Sequence, residues 1–214
     1  MKTILFKGDS ITDASRKRDL PECLGKGYAN LVSARLGCDF PNDYEFINRG
    51  IGGNRVVDLY ARVKKDIINL KPDYMSILVG VNDFWHEYTH EMGISAEKYE
   101  KIYTMLLEEI YEALPDIKIM ILEPYVVQGP STWNNEKHPD RWPIFDKEVK
   151  LRAAAAKRVA EKFGIPFVTL QDKFDAATEL TGGDATLWAK DGVHPTPRGH
   201  ELIARAWLEA FATL

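Results

Sequence analysis

The chain has 214 residues, of which 45% are hydrophobic and 28% are charged, and its formal net charge is −4. A chain of this length can bury one sizeable core, so we expect a single domain over residues 1–214. This charge balance provides no basic field for nucleic acid, and no apolar run approaches the roughly 18 residues of a membrane span, so neither partner is expected.

Short apolar runs rich in β-branched residues alternate along the chain with longer segments of helical period. The runs predict five strands: Thr3–Lys7, Tyr44–Asn48, Tyr74–Val79, Lys118–Leu122 and Pro166–Thr169. The longer segments predict five helices: Tyr28–Leu36, Val56–Leu70, Ala96–Leu114, Ile144–Phe163 and Pro197–Ala212. Thr196 suits the N-cap of the last helix, and Pro197 suits its first position. This alternation predicts an α/β fold, a three-layer α/β/α sandwich with a central five-stranded parallel sheet.

Polar and glycine-rich corners follow the predicted strands. In parallel sheets with helices on both faces, ligands bind outside the carboxyl ends of the strands, at the point where the strand order reverses. The corners at that edge are Gly8–Ser10, Asn48–Asn54, Gly80–Asp83 and, before the last helix, Asp191–Pro195. We therefore expect the chemistry of this protein at that rim of the sheet.

The residues of these corners meet the requirements of acyl transfer. That reaction needs a nucleophile, a base, an anion that orients the base, and donors for the developing oxyanion. Ser10 is the candidate nucleophile, His194 the base and Asp191 the orienting anion. The backbone N–H groups of Ser10 and Gly53 and the side-chain amide of Asn82 are candidate oxyanion donors, and glycine allows substrate to approach the backbone.

The same corners carry four sequence blocks in a familiar order. They are G-D-S at Gly8–Ser10, N-x-G-x-x-G at Asn48–Gly53, G-x-N-D at Gly80–Asp83 and D-x-x-H at Asp191–His194. With these blocks the chain resembles the SGNH hydrolases, or GDSL esterases, over nearly its whole length. The resemblance implies a flavodoxin-like fold and a Ser-His-Asp triad that works without cofactor or metal. It also implies that Ser10, Asp191 and His194 form the triad, and that Ser10, Gly53 and Asn82 supply the oxyanion donors.

A second motif in the sequence suggests a different chemistry, a zinc site. Residues His86–His90 read H-E-x-x-H, the pattern in which two histidines one helical turn apart bind zinc beside a general-base glutamate. Candidate third ligands follow downstream: Glu108, Glu109 and Glu112. However, the charged Glu91 directly after the motif breaks the pattern of zinc-protease helices, and a zinc site leaves the four blocks unexplained. The alternative is a polar loop or short helix that lines the cleft.

The segment Tyr125–Trp142 follows the fourth strand on the same rim and is polar and aromatic. Aromatic faces beside amides and carboxylates suit a sugar ring, whereas a lipid chain prefers a continuous apolar groove. The candidate substrate-binding residues are Asp9, Trp85, Tyr125, Trp133 and Trp188. The tryptophans could equally be core or subunit-interface residues. We assign no ligand role to His138 or His200.

Within the family, three stretches, GKGYANLV, INRGIGGNRVVDLYAR and KPDYMSILVGVNDFWHEY, are similar to bacterial intracellular carbohydrate esterases of the acetylxylan esterase type. The resemblance implies removal of acetyl groups from small sugars or xylo-oligosaccharides, and a homo-oligomer. A lysophospholipase or thioesterase acting on acyl chains is the alternative enzyme, and a non-catalytic sugar-binding module is the alternative class. The N-terminus lacks signal-peptide features, and Cys23 and Cys38 form no CxxC pair, which predicts a cytoplasmic protein with reduced thiols.

Overall fold

The computed structural model describes all residues from Met1 to Leu214. Five strands form one sheet: β1 (Lys2–Gly8), β2 (Tyr44–Asn48), β3 (Tyr74–Leu78), β4 (Lys118–Leu122) and β5 (Phe167–Val168). The α-helices are α1 (Ser10–Asp13), α2 (Tyr28–Asp39), α3 (Val56–Tyr60), α4 (Val63–Asp66), α5 (Val81–His90), α6 (Ala96–Ala113), α7 (Arg141–Phe163), α8 (Gln171–Leu180) and α9 (Pro197–Phe211). Short 3₁₀ turns lie at Ile68–Leu70 and Ala185–Leu187.

The strands are parallel and lie in the order β2-β1-β3-β4-β5, which confirms the predicted five-stranded parallel sheet. The chain moves from β1 outward to β2 and then crosses to β3 on the other side of β1. The order therefore reverses between β1 and β3. The carboxyl ends of these two strands flank the crevice in which such sheets bind ligands.

Alternate residues of the strands enter two separate cores, one on each face of the sheet. Ile4 and Phe6 of β1 are buried in one core with Trp207 of α9. Leu5, between them, is buried in the other core with Leu106 of α6. Helices α2, α8 and α9 cover the first face, and α3 and α6 cover the second. The three-layer arrangement predicted from the alternation of elements is confirmed.

The single helix predicted over Val56–Leu70 is wrong. Helices α3 and α4 and the 3₁₀ turn at Ile68–Leu70 divide this segment, because Arg62 and Ile67 have non-helical backbone angles. Val56, Leu59, Val63 and Ile67 are nevertheless all buried. The apolar spacing is the same for a continuous and an interrupted helix, so periodicity alone could not reveal the breaks.

Other elements differ from prediction in smaller ways. The segment after β3, left open as a loop or a short helix, is the ten-residue helix α5. Helix α8 was not predicted, since only Phe174 and Ala177 of its ten residues are buried and its periodic signal is weak. Thr196 caps α9 as predicted, accepting a hydrogen bond from the Gly199 N–H at 3.3 Å. None of the helices combines the length and apolarity needed to cross a bilayer.

Candidate active site

Ser10 lies at the switch point of the sheet, directly after β1. The side chain of Asp9 caps the one-turn helix α1 by accepting a hydrogen bond from the Ile11 N–H at 2.9 Å, and this fixes the turn on which Ser10 stands. Gly8 before it has no room for a side chain, because a Cβ would collide with the Leu78 carbonyl and with Thr12. The glycine and the acid of the first block therefore shape the backbone around the serine.

The structure brings Ser10, His194 and Asp191 together in one hydrogen-bonded line. Ser10 Oγ lies 2.9 Å from His194 Nε2, and His194 Nδ1 lies 2.7 Å from Asp191 Oδ2. The other carboxylate oxygen of Asp191 accepts from the backbone N–H groups of Val193 at 3.0 Å and of His194 at 2.8 Å. The D-x-x-H spacing thus lets the carboxylate hold both the turn and the imidazole ring.

The protonation states of the pair suit proton transfer from the serine. The hydrogen bond that the ring donates to Asp191 raises the pKa of His194 above its ordinary value, against an opposing effect of partial burial. Partial burial raises the pKa of Asp191, but the bonds donated by the His194 ring and by the two backbone N–H groups outweigh it and lower that pKa to about 2. Asp191 is an anion at neutral pH, so Nδ1 carries the proton and Nε2 faces Ser10 as an acceptor.

The predicted oxyanion donors Gly53 and Asn82 lie on the loop after β2 and on the first turn of α5, the segments that follow the two strands flanking β1. Gly53 has a backbone φ of +82°, which favours glycine, and the residue is exposed. A Cβ on the neighbouring Gly52 would lie 3.7 Å from Ser10 Cβ, so this loop passes close to the serine. Asn82, on the first turn of α5, donates one Nδ2 hydrogen to the Asn54 carbonyl at 3.1 Å. Its amide keeps a second hydrogen available for substrate.

Three polar side chains hold the backbone around these donors, and none of them was assigned a role from the sequence. Asn48 accepts from the Gly50 N–H at 2.8 Å and donates to the Thr12 carbonyl at 2.7 Å. Asp13 accepts from the Gly52 N–H at 3.3 Å, and Asp83 accepts from the Val56 N–H at 3.0 Å. Asn48 and Asp83 belong to the motif blocks, and their place in those blocks is the sequence feature that could have indicated a role.

Two buried acids lie behind the site. Burial raises the pKa of Asp9 to about 7 and that of Asp83 to about 8. Each side chain is almost wholly inaccessible and makes a hydrogen bond to a backbone N–H group. Both carboxyl groups therefore carry less than a full negative charge at neutral pH, which lowers the negative charge behind the site.

Two of the predicted substrate-binding residues are buried instead. Tyr125 has no exposed surface; its ring stacks on Phe174 at 4.0 Å, and its hydroxyl donates to the Val193 carbonyl at 3.0 Å. The prediction that Tyr125 presents its ring to a sugar is wrong, and its contact with Val193 supports the turn before His194. Asp9 is 1% exposed and caps α1, so its predicted contact with substrate is wrong as well.

The predicted tryptophans are dispersed around the rim. Trp85 packs its ring 5.1 Å from Phe145, and Trp133 is exposed, 6.4 Å from the ring of Trp142. Trp188 donates its indole N–H to Thr181 Oγ1 at 3.1 Å. None of the three lines the cavity that contains Ser10. The structure does not gather them into one platform beside the serine.

The H-E-x-x-H motif lies on α5 beside the oxyanion loop. The rings of His86 and His90 have centroids 6.1 Å apart, and no third His, Cys, Asp or Glu side chain joins them in a group that could hold a metal ion. Glu87 instead accepts from the Gly93 N–H at 3.0 Å and closes the turn after the helix. His86 Nε2 would lie 3.8 Å from a Cβ on Gly53. This arrangement lacks the third ligand that the zinc hypothesis requires.

Comparison with known proteins identifies a family and several relatives. Residues 6–202 match the GDSL-like Lipase/Acylhydrolase family. The chain is 34% identical over 215 residues to an acetylxylan esterase from Geobacillus stearothermophilus, covering 96% of this chain and 91% of the esterase.

Solved structures agree with that match. A GDSL-like lipase homologue from Parabacteroides merdae has a TM-score of 0.88 and 34% identity, covering 100% of this chain and 96% of its own. LAE5, an α/β hydrolase enzyme from the metagenome of Lake Arreo, has a TM-score of 0.84 and 30% identity, covering 99% and 95%. Axe2, an acetylxylan esterase from G. stearothermophilus, has a TM-score of 0.82 and 31% identity, covering 98% and 93%. Catalytic mutants of Axe2 replace a serine, an aspartate or a histidine with alanine.

Proposed function

This chain belongs to the GDSL-like lipase/acylhydrolase family and is a carboxylic ester hydrolase, and we propose that it removes acetyl groups from acetylated sugars or xylo-oligosaccharides. The observation that supports the mechanism most is the line of hydrogen bonds from Ser10 through His194 to Asp191. A protein that only binds sugar has no need of a base oriented by an acid, so this line disfavours the binding-module hypothesis.

The mechanism has two steps. His194 Nε2 removes the proton of Ser10 as Oγ attacks the ester carbonyl, and the oxyanion accepts hydrogen bonds from the Ser10 and Gly53 N–H groups and the Asn82 amide. The C–O bond to the sugar then breaks, and His194 gives its proton to the leaving alcohol. A water molecule, deprotonated by the same histidine, attacks the acyl-enzyme and releases acetate and free Ser10.

Two observations support acetylated sugars over long acyl chains. Polar and charged side chains dominate the lining of the cavity beside Ser10, which suits the hydroxyl groups of a sugar as the leaving alcohol. A relative that shares 34% of its residues with this chain is an acetylxylan esterase. The cytoplasmic location, the homo-oligomer and the single domain stay predictions.

An acyl-chain series tests this function against the lysophospholipase and thioesterase alternative. We expect kcat/KM for 4-nitrophenyl acetate to exceed that for the octanoate by at least about tenfold, because a site formed around an acetyl group has to exclude the longer octanoyl chain. Peracetylated xylobiose, assayed in parallel, should release acetate. Activity that instead rises from acetate through butyrate to octanoate would contradict the sugar esterase and support the lipid enzyme.

Replacing Asn82 with alanine tests the oxyanion donors separately. We expect Asn82→Ala to lower kcat on the order of 10²–10³-fold with a smaller change in KM, because the lost hydrogen bond strengthens only as the oxyanion forms. Asn42→Ala, at an exposed position away from the rim, is the matched control and should retain full activity. A loss of less than about tenfold in a correctly folded Asn82→Ala protein would remove Asn82 from this role.

A further inference from the structure

A cavity of about 430 Å³ opens beside Ser10, within the size range of small-molecule sites. Ser10 and His194 line it, whereas Gly53 and Asn82 do not. In the proposed mechanism His194 returns its proton to the leaving alcohol, so the alcohol lies on the histidine side of the serine, away from the oxyanion donors. This cavity is therefore placed for the sugar and not for the acetyl group.

The cavity has an excess of positive charge. Its cationic side chains are Arg18, Lys26 and Lys190, and its carboxylate is Asp13. Asp13 pairs with Arg18 at 3.3 Å and also accepts from a backbone N–H group. Neither lysine belongs to any ion pair of the chain. Two exposed lysines without an ion-pair partner thus line the cavity, in a protein whose net charge is −4.

The two lysines come from different walls of the cavity, and hydrogen bonds hold both of their backbones. The Lys26 N–H donates to the Ala14 carbonyl at 2.8 Å, directly before α2. The Lys190 N–H donates to the His194 carbonyl at 3.0 Å, which keeps it next to the candidate base. An anion bound between the two walls would be attracted by a positive charge from each. The cavity would therefore favour an anionic substituent over a neutral one, whereas the protein as a whole is negatively charged.

His200, which was assigned no role from the sequence, adds a neutral hydrogen-bond donor to this cavity. It lines the same cavity although it is only 8% exposed. Its Nδ1 accepts from the Tyr28 N–H at 3.2 Å, so the ring proton is on Nε2. Burial lowers the pKa of His200 to about 4, which keeps the ring neutral and unable to compete with His194 as a base.

We propose that this cavity binds an anionic substituent, a carboxylate or a phosphate, on the acetylated sugar. Lys26 and Lys190 neutralise the anion, and His200 Nε2 donates a hydrogen bond to the sugar or to the anion itself. The preferred substrate is accordingly an acetylated acidic sugar, such as a uronic acid, and not its neutral counterpart. This inference rests on the proposed esterase function and specifies the substrate class of the same site.

The test compares substrates that differ only in charge. Mono-O-acetylated methyl glucuronoside carries a carboxylate where mono-O-acetylated methyl glucoside carries a hydroxymethyl group, and mono-O-acetylated methyl glucoside 6-phosphate supplies the phosphate arm. We expect kcat/KM for at least one anionic sugar to exceed that for the glucoside by about tenfold at low salt, the effect of two exposed charge pairs. The better of the two anionic substrates identifies the anion as a carboxylate or a phosphate.

Salt and substitution identify the source of the preference. Raising NaCl from about 0.01 M to about 1 M shortens the screening length from roughly 30 Å to roughly 3 Å. This change should remove most of the preference for the anionic substrate. The double variant Lys26→Ala/Lys190→Ala should bring the ratio of acidic to neutral kcat/KM close to one. Taking the ratio within each variant cancels any general loss of activity. Lys157→Ala, an exposed position on α7, is the matched control and should keep the wild-type ratio.

The outcomes separate this inference from the function on which it rests. If the wild type cleaves neutral and anionic sugars equally well, the esterase stands and the anion site is wrong. The same holds if the preference survives in the double variant. If the wild type cleaves neither 4-nitrophenyl acetate nor any acetylated sugar, both the proposed function and the anion site are wrong.

Discussion

Replacing Ser10 with alanine is expected to lower kcat by about 10⁶-fold, the loss seen when a serine hydrolase loses its nucleophile. Ser10 Oγ is 2.9 Å from His194 Nε2, and no other hydroxyl or thiol is hydrogen-bonded to that nitrogen. Without Oγ no acyl-enzyme forms, so only the slow hydrolysis favoured by the oxyanion donors remains. The measurement is steady-state hydrolysis of 4-nitrophenyl acetate together with acetate release from peracetylated xylobiose.

The control for this variant is Ser33→Ala, on α2 away from the rim, which should keep wild-type activity. A serine-directed organophosphate should label the wild type once per chain, at Ser10, and should leave Ser10→Ala unlabelled. Substantial turnover by a folded Ser10→Ala protein would eliminate the serine mechanism. Loss of that activity on treatment with a chelator would then turn attention to His86 and His90, despite their lack of a third ligand.

Replacing Asp191 with asparagine is expected to lower kcat by about 10⁴-fold and to change its pH dependence. The wild-type rate should fall as the pH drops through the raised pKa of His194, because a protonated imidazole cannot accept the serine proton. The carboxylate is the main cause of that raised pKa. Removing its charge lowers the pKa of His194, so the acidic limb of the kcat/KM profile should move to lower pH.

The pH profile distinguishes a positioning role for Asp191 from a merely structural one. A variant that had only lost stability would show a lower rate with an unmoved acidic limb. Asp116→Asn, at an exposed position with no hydrogen bond or ion pair, is the matched control and should reproduce the wild-type profile. An acidic limb that stays in place or moves to higher pH in Asp191→Asn would mean that this carboxylate does not raise the pKa of His194.

The sequence alone predicts the five strands in their order along the chain, the helices α2, α6, α7 and α9, and the edge at which polar groups collect. Short β-branched runs and the periodic helices reflect local backbone preference and one-sided burial, and both are visible in a single chain. The alternation of these elements restricts the connections to right-handed crossovers, so the parallel sheet follows. The turns after β1 and β3 then reach the same rim whatever the details of packing.

The tertiary structure alone decided which aromatic and charged residues face that rim. Tyr125 and Trp188 have an apolar ring and a polar atom, and such side chains suit a core as well as a binding surface. Their hydrogen bonds, to Val193 and Thr181, could not be inferred from spacing. The interruptions in Val56–Leu70 could not be predicted either, because the same apolar spacing fits a continuous and an interrupted helix.

The convergence of Lys26, Lys190 and His200 on one cavity also depended on the tertiary structure. These residues belong to separate segments that meet only because β1 lies inside the sheet, between β2 and β3, and α9 packs against α2. Each looks ordinary in the sequence, a surface lysine or a helix histidine. Local patterns specify what each segment of the chain forms, whereas the character of a site depends on long-range packing that brings distant side chains within a few ångströms of one another.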